Sequence, residues 1–533
     1  MKLLGQAHSG PCDKGAILHG EAGPPHSAAA ARWTLVAAIL GSSMAFIDGT
    51  VVNVALPAIQ RELNATATDA QWIVESYALF LAALLLVGGS LGDHFGRRRI
   101  FMIGVALFTV ASMACGISST VSALIAARSV QGIGAALLVP GSLSLLSAAF
   151  PESERGAAIG TWSAFSGMAA AVGPVIGGYL VDHHSWVWAF LLNAPIGVVL
   201  LLVCAGKVQE SVGSASRTPV DVFGGALATV GLAGVVFALI EAPAQGWTDG
   251  GVLGAAGIGI AALAGFVVWE RRSPAPMLDM ASFWQKDFAA ANLLTFLLYA
   301  GLGGSLYFLP LNLIQVQGYS AMWAGAALLP FVIIMFALSA WAGGLVDRYG
   351  SRPPLVLGPA IAALGFALFT VPSLDANYWA SFFPAVCVLG VGMSITVAPL
   401  TTTVMNSLGP DLAGVASGIN NAVSRVAGLL AIAVFGVVLA SSFKTNLEPQ
   451  LHKAQAPPQA VSAIVAQAGK LAGTEIPQQL PEATRLELKH AVGRSFVSGF
   501  RWVMALSAAL AALSALSAAL LISAKPSEAG SQH

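Results

Sequence analysis

The chain has 533 residues, of which 56% are hydrophobic and only 9% are charged. A soluble domain carries about 25% charged residues, so a water-soluble fold of this size is excluded and a polytopic membrane protein is predicted. Lys plus Arg equals Asp plus Glu, with 25 residues each, so the net charge does not point to nucleic acid and no such partner is expected.

Fourteen apolar segments are long enough to cross a bilayer as helices, which takes about 20 residues each. In chain order they are 33–57, 71–91, 100–118, 122–147, 156–181, 186–206, 220–241, 251–269, 288–312, 322–346, 355–373, 378–403, 412–442 and 497–523. Residues 1–32 lack a sustained apolar core and are predicted to form a disordered cytoplasmic tail. The predicted fold class is therefore all-α, with fourteen transmembrane helices.

Positive charges between these segments are distributed unevenly, which sets the orientation of membrane proteins. If the amino terminus is cytoplasmic, only Arg61 falls in a short outside loop, and most other basic residues fall inside. The inside residues are Lys2, Lys14, Arg32, Arg97, Arg98, Arg99, Arg155, Lys207, Arg217, Arg271, Arg272, Lys286, Arg348, Arg352 and Lys525. Both termini, including the tail 524–533, are therefore predicted to be cytoplasmic. The segment 443–495 is predicted to be an extracytoplasmic loop, either solvated or a partly helical cap.

One polar stretch follows the second segment, and a near copy of it follows the tenth. The first runs from Gly89 to Arg99 as GSLGDHFGRRR, and the second runs from Gly343 to Arg352 as GGLVDRYGSR. Both fit the pattern Gly-x-Leu-x-Asp-x-x-Gly-x-Arg. Because both lie on the same predicted side, the repeat indicates two halves of similar architecture.

A second repeated spacing supports these two halves. Pro140 and Pro151 are eleven residues apart, as are Pro399 and Pro410. This match aligns the fourth and fifth segments with the twelfth and thirteenth, and leaves the seventh and eighth as an insertion. The predicted domains are an N-terminal six-helix half at 33–206, a linker with two extra transmembrane helices at 207–287 and a C-terminal six-helix half at 288–523.

The repeated stretch is predicted to form a cytoplasmic gate that is made in one conformer and broken in another. Gly89 and Gly96 carry no side chain and would let helix ends approach closely. Asp93 can pair with Arg97 or Arg98, or with the positive amino end of a neighbouring helix. The alternative is a basic loop that only sets topology. The predicted gate residues are Gly89, Asp93, Gly96, Arg97, Arg98, Asp347 and Arg352.

Several stretches together resemble the motifs of one transporter family. The stretch from Gly89 to Arg99 resembles the signature loop between helices 2 and 3 of the major facilitator superfamily. Four others resemble family motifs: the first-helix motif of fourteen-span drug:proton antiporters at 48–57, Arg-x-x-Gln-Gly-x-Gly at 128–136, the antiporter motif at 167–178 and a further family stretch at 186–197. The similarity covers about 33–442 and the last segment, and the combination is specific to EmrB/QacA-type exporters.

This resemblance implies a major facilitator fold, in which two six-helix halves, here with two inserted helices between them, rock around a midplane site. It also implies a multi-pass protein of the bacterial inner membrane that exports amphipathic, cationic drugs as protons enter. The chain departs from the family at two positions. Val187 stands where the family usually has Arg between two tryptophans, and Ser351 stands where the first loop has Arg97.

Asp48, Glu75 and Arg128 lie inside apolar segments and are predicted to couple transport to protons. A charge at the bilayer centre costs about 2.5–3.5 kcal/mol on insertion scales, so such a residue usually faces the bundle interior and serves a function. Arg128 needs a partner, for which Asp48 or Glu75 is available, and Gln131 shares its helix face. For each residue the alternative is a static structural contact. Arg425 is a second intramembrane cation, whose partner the sequence does not identify.

Small residues and a proline make the fifth segment smooth and bendable, which predicts a hinge rather than plain helix packing. The hinge residues are Gly167, Gly173, Pro174, Gly177 and Gly178. Substrate contacts are predicted from polar and aromatic side chains, because aromatic faces and a carboxylate suit a lipophilic cation. The predicted set is Asp48, Tyr77, Gln131, Phe165, Asn292, Tyr299 and Gln315, and Trp162, Phe296, Tyr307 and Asn312 share its character.

The sequence contains no Walker loop for ATP, no His/Glu metal pair and no nucleophile elbow, so no enzyme activity, cofactor or metal is predicted. The expected partners are small amphipathic substrates, protons and the lipid bilayer. A periplasmic adaptor and an outer-membrane channel are further candidates, and the chain is expected to act as a monomer. The alternatives are a proton-coupled transporter of one metabolite or lipid-like product, by export or uptake, and a non-transporting scaffold or sensor.

Overall fold

The computed structural model describes residues 28–212, 220–278, 280–408 and 412–523. Within these ranges the chain is helical and contains no β-strand. The first half and the insertion contain α1 (Ala28–Glu62), α2 (Ala67–Phe95), α3 (Arg97–Gly116), α4 (Val121–Ala149), α5 (Glu152–His183), α6 (Val187–Leu191), α7 (Asn193–Lys207), α8 (Val222–Gln245) and α9 (Gly250–Glu270). The second half contains α10 (Lys286–Leu311), α11 (Ala321–Ala326), α12 (Leu329–Gly343), α13 (Leu345–Tyr349), α14 (Arg352–Leu368), α15 (Phe383–Ser407), α16 (Ala413–Lys453), α17 (Pro458–Val465) and α18 (Glu482–Leu521).

Short 3₁₀ or π turns extend or join some of these helices. They lie at Met280–Trp284, Asn312–Val316, Tyr378–Phe382 and Ala468–Gly473. Helices α6 and α7 together form one span, and so do α11 and α12. Counted in this way, 13 helices are long and apolar enough to cross a membrane, and the 17-residue helix α14 adds the fourteenth. The predicted all-α class with fourteen transmembrane helices is therefore confirmed.

The described helices alternate in direction, so the bundle has two ends. One end, which we call the motif face, carries the two repeated stretches after α2 and before α14. The other end, which we call the cap face, carries residues 454–481, which we call the cap. Contacts between distant segments fix these ends, since Lys470 in the cap donates to Asn64 Oδ1 at 2.6 Å, while Ser523 N at the motif face donates to Asp287 Oδ1 at 2.9 Å.

Two helices extend into the segment predicted as a loop at 443–495. Helix α16 continues to Lys453 and α18 begins at Glu482, so only the cap lies between them. The extension of α16 buries Phe443, Leu447 and Leu451, which are spaced by four residues. This is the pattern of an amphipathic helix, and it persists after the hydropathy has fallen below that of a transmembrane segment.

The predicted tail boundary at residue 32 also moves. Helix α1 begins at Ala28, because the run of alanines before Arg32 favours helix without being apolar enough to be assigned to a span. Residues 1–27 and the predicted tail 524–533 lie outside the described residues, as do Arg217 and Pro410.

The inserted helices α8 and α9 lie beside the junction of the two halves. Helix α8 packs against α2 and α16, and Trp72 Nε1 on α2 donates to Glu241 Oε1 on α8 at 2.8 Å. Helix α9 packs against α8, where the absence of side chains at Gly234 and Gly259 allows backbone contact. The insertion therefore widens the bundle without entering the space between the halves.

The two halves are in contact at the cap face. Asp182 at the end of α5 accepts from Ala321 N at 3.0 Å and from Met322 N at 2.8 Å, at the start of α11. The backbones are so close that a Cβ atom at Gly178 would lie 2.4 Å from the Ala321 carbonyl oxygen. In this conformer the two halves are therefore held together at the cap face by backbone hydrogen bonds and close backbone packing.

Candidate functional site

The N-terminal half contains a buried cluster of polar side chains on α1, α4 and α7. Arg128 Nη1 lies 2.5 Å from Asp48 Oδ2 and donates to Gln131 Oε1 at 2.7 Å. The amides of Gln131 and Asn193 donate to Asp48 Oδ1 at 2.7 and 3.1 Å. Asp48 therefore accepts from three side chains, and its charge is compensated locally. Of the two carboxylates that the sequence offered to Arg128, the structure pairs it with Asp48.

Helix periodicity and close packing build this cluster. Arg128 and Gln131 are three residues apart on α4 and lie on one face. Arg128 Nε donates to the Ile73 carbonyl at 3.1 Å, and the guanidinium carbon lies 4.2 Å from the centre of the Tyr77 ring. Helix α2 comes this close because α4 has Gly132 at the crossing, where a Cβ atom would lie 2.5 Å from the Tyr77 carbonyl oxygen.

The sequence analysis missed two members of this cluster, Asn193 and Ser112. Asn193 Nδ2 also donates to Ser112 Oγ at 2.9 Å, and Ser112 donates to the Phe190 carbonyl at 2.8 Å. Asn193 could have been found, because it is a polar residue inside the motif-like stretch 186–197. Nothing in the sequence distinguishes Ser112 from other serines in apolar helices.

Glu75 is a second buried carboxylate, and its environment differs completely. It lies on α2, and its side chain is fully buried. Within the described part of the chain, neither of its carboxylate oxygens has a hydrogen-bond partner. Helix α2, which carries Glu75, packs against α16 of the other half. Because an ionised carboxylate without a partner is costly in such a place, this site suits a group that carries a proton.

Arg425 on α16 is also without a partner. Its Nε atom is buried and has no acceptor, and no described residue forms an ion pair with it. Helix α16, which carries Arg425, packs against α2 of the N-terminal half, so Arg425 lies on a helix at the junction of the halves. On the preceding turn Asn420 Nδ2 donates to Thr295 Oγ1 at 2.6 Å and to Asn292 Oδ1 at 3.2 Å.

The predicted substrate contacts occupy three separate regions. Asp48, Tyr77 and Gln131 belong to the N-terminal cluster, and Asn292 lies in the second half, where it also donates to the Phe288 carbonyl at 2.9 Å. Tyr299 is partly buried on α10. Each of these side chains contacts other groups of the protein.

The two remaining predicted contacts lie away from this region. Phe165 on α5 is half exposed. Gln315 lies at the cap face, where its Nε2 atom donates to Gln60 Oε1 of the other half at 2.8 Å. The structure therefore gathers Asp48, Tyr77 and Gln131 but leaves Phe165 and Gln315 apart from them.

A narrow cavity lies at the cap face between the two halves and α8. Gln60, Gln71, Tyr307, Gln315 and Lys444 contribute its polar lining. Its upper wall is the cap at 468–471, and its remaining lining is largely apolar.

The first repeated stretch forms an ordered turn at the motif face. Asp93 Oδ1 pairs with Arg97 at 2.8 Å, and the Glu210 carboxylate accepts from Arg98 N and Arg99 N at 2.9 and 3.1 Å. Glu210 thus caps the start of α3, a position that the preceding Gly96 cannot cap with a side chain. Gly96 has φ +105°, a conformation that favours glycine.

The second repeated stretch forms no such turn. Asp347 is exposed and forms no ion pair with the described residues, while Arg352 donates to the Ala519 carbonyl. The close approach of a neighbouring helix that was expected at Gly89 occurs at Gly88 instead. A Cβ atom at Gly89 would make ordinary contact with Pro140, whereas one at Gly88 would lie 2.0 Å from the Ala136 carbonyl oxygen.

The glycines of the antiporter-like stretch on α5 are mostly packing positions. A Cβ atom at Gly177 would overlap the Val51 side chain, and one at Gly173 would lie 2.6 Å from Thr50 Oγ1, so both glycines admit α1. Gly178 and Pro174 meet the α11 backbone, as described for the cap face. Gly167 borders open space. Helix α5 is continuous through Pro174, and its hinge role stays a prediction.

Comparison with known proteins agrees with this architecture. The sequence profile of the Major Facilitator Superfamily matches residues 38–432. The tetracenomycin C resistance and export protein of Streptomyces glaucescens is 35% identical over 505 residues, which cover 93% of this chain and 92% of that one. The multidrug resistance protein Stp of Mycobacterium tuberculosis is 36% identical over 425 residues, 79% of this chain and 78% of that one.

Solved structures show the same fold at low sequence identity. A bacterial homologue of the human lysosomal transporter Spinster, in an inward-facing and unoccupied conformation, has a TM-score of 0.62 at 18% identity and covers 92% of this chain and 98% of that one. The Escherichia coli xylose transporter XylE has a TM-score of 0.54 at 12% identity, with 91% and 96% covered. The protein is a multi-pass membrane transporter and not an enzyme. This chain belongs to the Major Facilitator Superfamily, and its relatives fit the fourteen-span drug:proton antiporter family that its motifs resemble.

Proposed function

We propose that this transporter exports small amphipathic compounds, including antibiotics, across the inner membrane in exchange for protons. Several relatives support export, since their names describe antibiotic resistance or multidrug resistance. The motif face is cytoplasmic and the cap face is outside, because the basic residues of the short loops collect at the motif face. In this orientation the described conformer is closed towards the outside.

Glu75 carries the proton. The observation that supports this role is the burial of both carboxylate oxygens without a hydrogen-bond partner, next to the junction of the two halves. A group in such a site gains most from binding a proton, and its charge changes when it releases one. Proton entry through a potential of 100 mV supplies about 2.3 kcal/mol per charge, enough to drive accumulation against a gradient.

Asp48 and Arg128 serve this cycle as a fixed pair. Three donors already hold Asp48, so protonating it would break contacts that Glu75 does not have. Selection of cationic substrates then depends on Glu75, since Asp48 has no free charge to offer. A proton and a cation compete for one carboxylate, which is a direct route to antiport.

Alternating access follows from the inter-half contacts. The Asp182 contact with α11 and the hydrogen bond between Gln60 and Gln315 break when the cap face opens. The predicted gate at Asp93, Arg97 and Arg98 controls the other end, and the hinge predicted around Pro174 bends α5. Action as a monomer and work with a periplasmic adaptor and outer-membrane channel are separate predictions.

Everted membrane vesicles test the proposal directly. Their lumen corresponds to the outside and is acidified by respiration, so addition of ethidium, tetraphenylphosphonium or puromycin should release protons from it. Glu75→Gln should abolish this release while the protein is still inserted. Glu241→Gln is the matched control, because Glu241 is also a carboxylate near the cap face but is bonded to Trp72.

Two results would overturn the proposal. One is that vesicles with the wild-type protein transport none of the compounds, or transport them without releasing protons. The other is a Glu75→Gln variant with an undiminished proton release.

A further inference from the structure

Polar side chains form part of the lining of the cap-face cavity, whose remaining lining is largely apolar. Gln60 and Gln315 cross it with a hydrogen bond of 2.8 Å, and Thr68 and Gln71 line it from α2. Lys470 of the cap borders it. A narrow cavity with these polar side chains has room and partners for water but is too small for a drug-sized molecule.

Tyr307 and Gln71 connect this cavity with Glu75. Gln71 lies one turn before Glu75 on α2, so both side chains lie on the same helix face. Tyr307 lines the same cavity as Gln71, from α10 of the other half, and its ring is buried. Tyr307 is therefore a hydroxyl-bearing side chain at the inner end of the cavity, on the half opposite Glu75.

The charged groups on the surrounding helices have other contacts. Lys444 Nζ donates to the Pro243 carbonyl at 2.5 Å, Lys470 Nζ donates to Asn64 Oδ1, Glu241 accepts from Trp72 and Arg128 pairs with Asp48, whereas Arg425 has no ion pair with the described residues. The Tyr307 hydroxyl makes no hydrogen bond with the described residues.

We propose that the cap-face cavity is the proton entrance to Glu75 and that Tyr307 relays the proton. This inference rests on the proposed function, because it takes Glu75 as the proton carrier. It adds a route: protons reach Glu75 from the outside through a passage too narrow for the drug, with Tyr307 as a positioning and relay residue.

The relay step is balanced and leaves the phenol unchanged. A hydronium ion in the cavity donates a proton to the Tyr307 oxygen, the original phenol proton passes to a bridging water, and that water gives one of its own protons to a Glu75 carboxylate oxygen. One O–H bond forms and one breaks at the phenol, hydronium becomes water, and the carboxylate becomes a neutral acid. Because these transfers occur together, no buried phenolate or phenol cation forms.

The test compares Tyr307→Phe with Tyr319→Phe in proteoliposomes, with ethidium as the probe. Tyr319 is the matched control, because it is a tyrosine near the cap face but does not line the cavity. Removal of the Tyr307 hydroxyl should slow proton-driven ethidium export roughly tenfold. Exchange of ethidium without a proton gradient should stay at the wild-type rate, and Tyr319→Phe should change neither rate.

The outcomes separate this inference from the proposed function. Equal losses of export and exchange in Tyr307→Phe would assign a packing role and overturn the relay, as would undiminished export. If Glu75→Gln abolishes proton coupling and Tyr307→Phe does not, only the relay fails. If Glu75→Gln keeps proton coupling, the proposed function fails first. In the Glu75→Gln background, Tyr307→Phe should cause no further loss of coupling.

Discussion

The charged side chains inside the bundle have two contrasting environments. In the N-terminal half, Asp48 and Arg128 satisfy each other and are held by further donors and by the Tyr77 ring. At the junction of the halves, Glu75 is buried without a hydrogen-bond partner among the described residues, and Arg425 is partly buried with no acceptor for its Nε atom there. The first arrangement fixes three helices relative to one another. The second leaves charged side chains that a proton, a substrate or a change of conformer can neutralise.

The contrast lies within short distances along the chain. Glu75 and Tyr77 are two residues apart on α2, and because helix periodicity turns them to different sides, only Tyr77 reaches the paired cluster. Antiparallel contacts of α2 with α16, from Gln71 at Ile432 to Leu86 at Gly418, place Arg425 about one helical turn from the level of Glu75. The unpaired acid and the unpaired base therefore lie at similar levels on two packed helices that belong to different halves.

The same substitution at the two arginines gives the largest expected difference. Arg128→Met leaves Asp48 buried without its cation and should cost about 3–5 kcal/mol of folding free energy. Arg425→Met removes a cation that has no partner and should leave the protein at least as stable. Thermal unfolding in detergent, followed by intrinsic fluorescence, measures both. A similar loss in the two variants would mean that Arg425 is also paired.

A smaller effect is expected at Asn193, which holds the paired cluster from α7. Asn193→Ala removes one donor to Asp48 and one to Ser112, so it should cost about 1–2 kcal/mol. The unfolding midpoint should fall below that of the wild type but remain above that of Arg128→Met. Asn193→Ala with wild-type stability would show that Asp48 needs only Arg128 and Gln131.

The smallest effect on stability is expected at Glu75. Glu75→Gln replaces one unpartnered polar group with another of equal size, so the free energy of unfolding should change by less than about 1 kcal/mol. Under the proposed function, proton-coupled export should be lost in the same variant. A destabilisation as large as that of Arg128→Met would place Glu75 with the structural charges and remove the contrast.

The sequence predicted the number of spans and placed Asp48, Glu75 and Arg128 inside them, because hydropathy and charge are local properties. It could not choose between Asp48 and Glu75 as the partner of Arg128, because that choice depends on how α1 and α2 pack against α4. The i, i+3 rule did identify Gln131 as a neighbour of Arg128, and the structure places the two in contact.

The repeated stretches show a second reason for the difference between sequence and structure. Their patterns match, but Glu210, which lies more than a hundred residues from the first stretch, caps only that turn. Similarly, the glycine that admits a neighbouring helix is Gly88 rather than the motif residue Gly89. A motif gives the identity of its own residues, whereas the tertiary fold determines which distant residues contact them.

The Asp182 contact has a consequence for how such exporters diversify. Asp182 binds the backbone N–H groups of Ala321 and Met322 rather than their side chains. Every residue except proline supplies that N–H group. Mutations can therefore alter the side chains at the start of α11 without removing the contact with Asp182. The surface of this region can change during evolution while the two halves still close at the cap face.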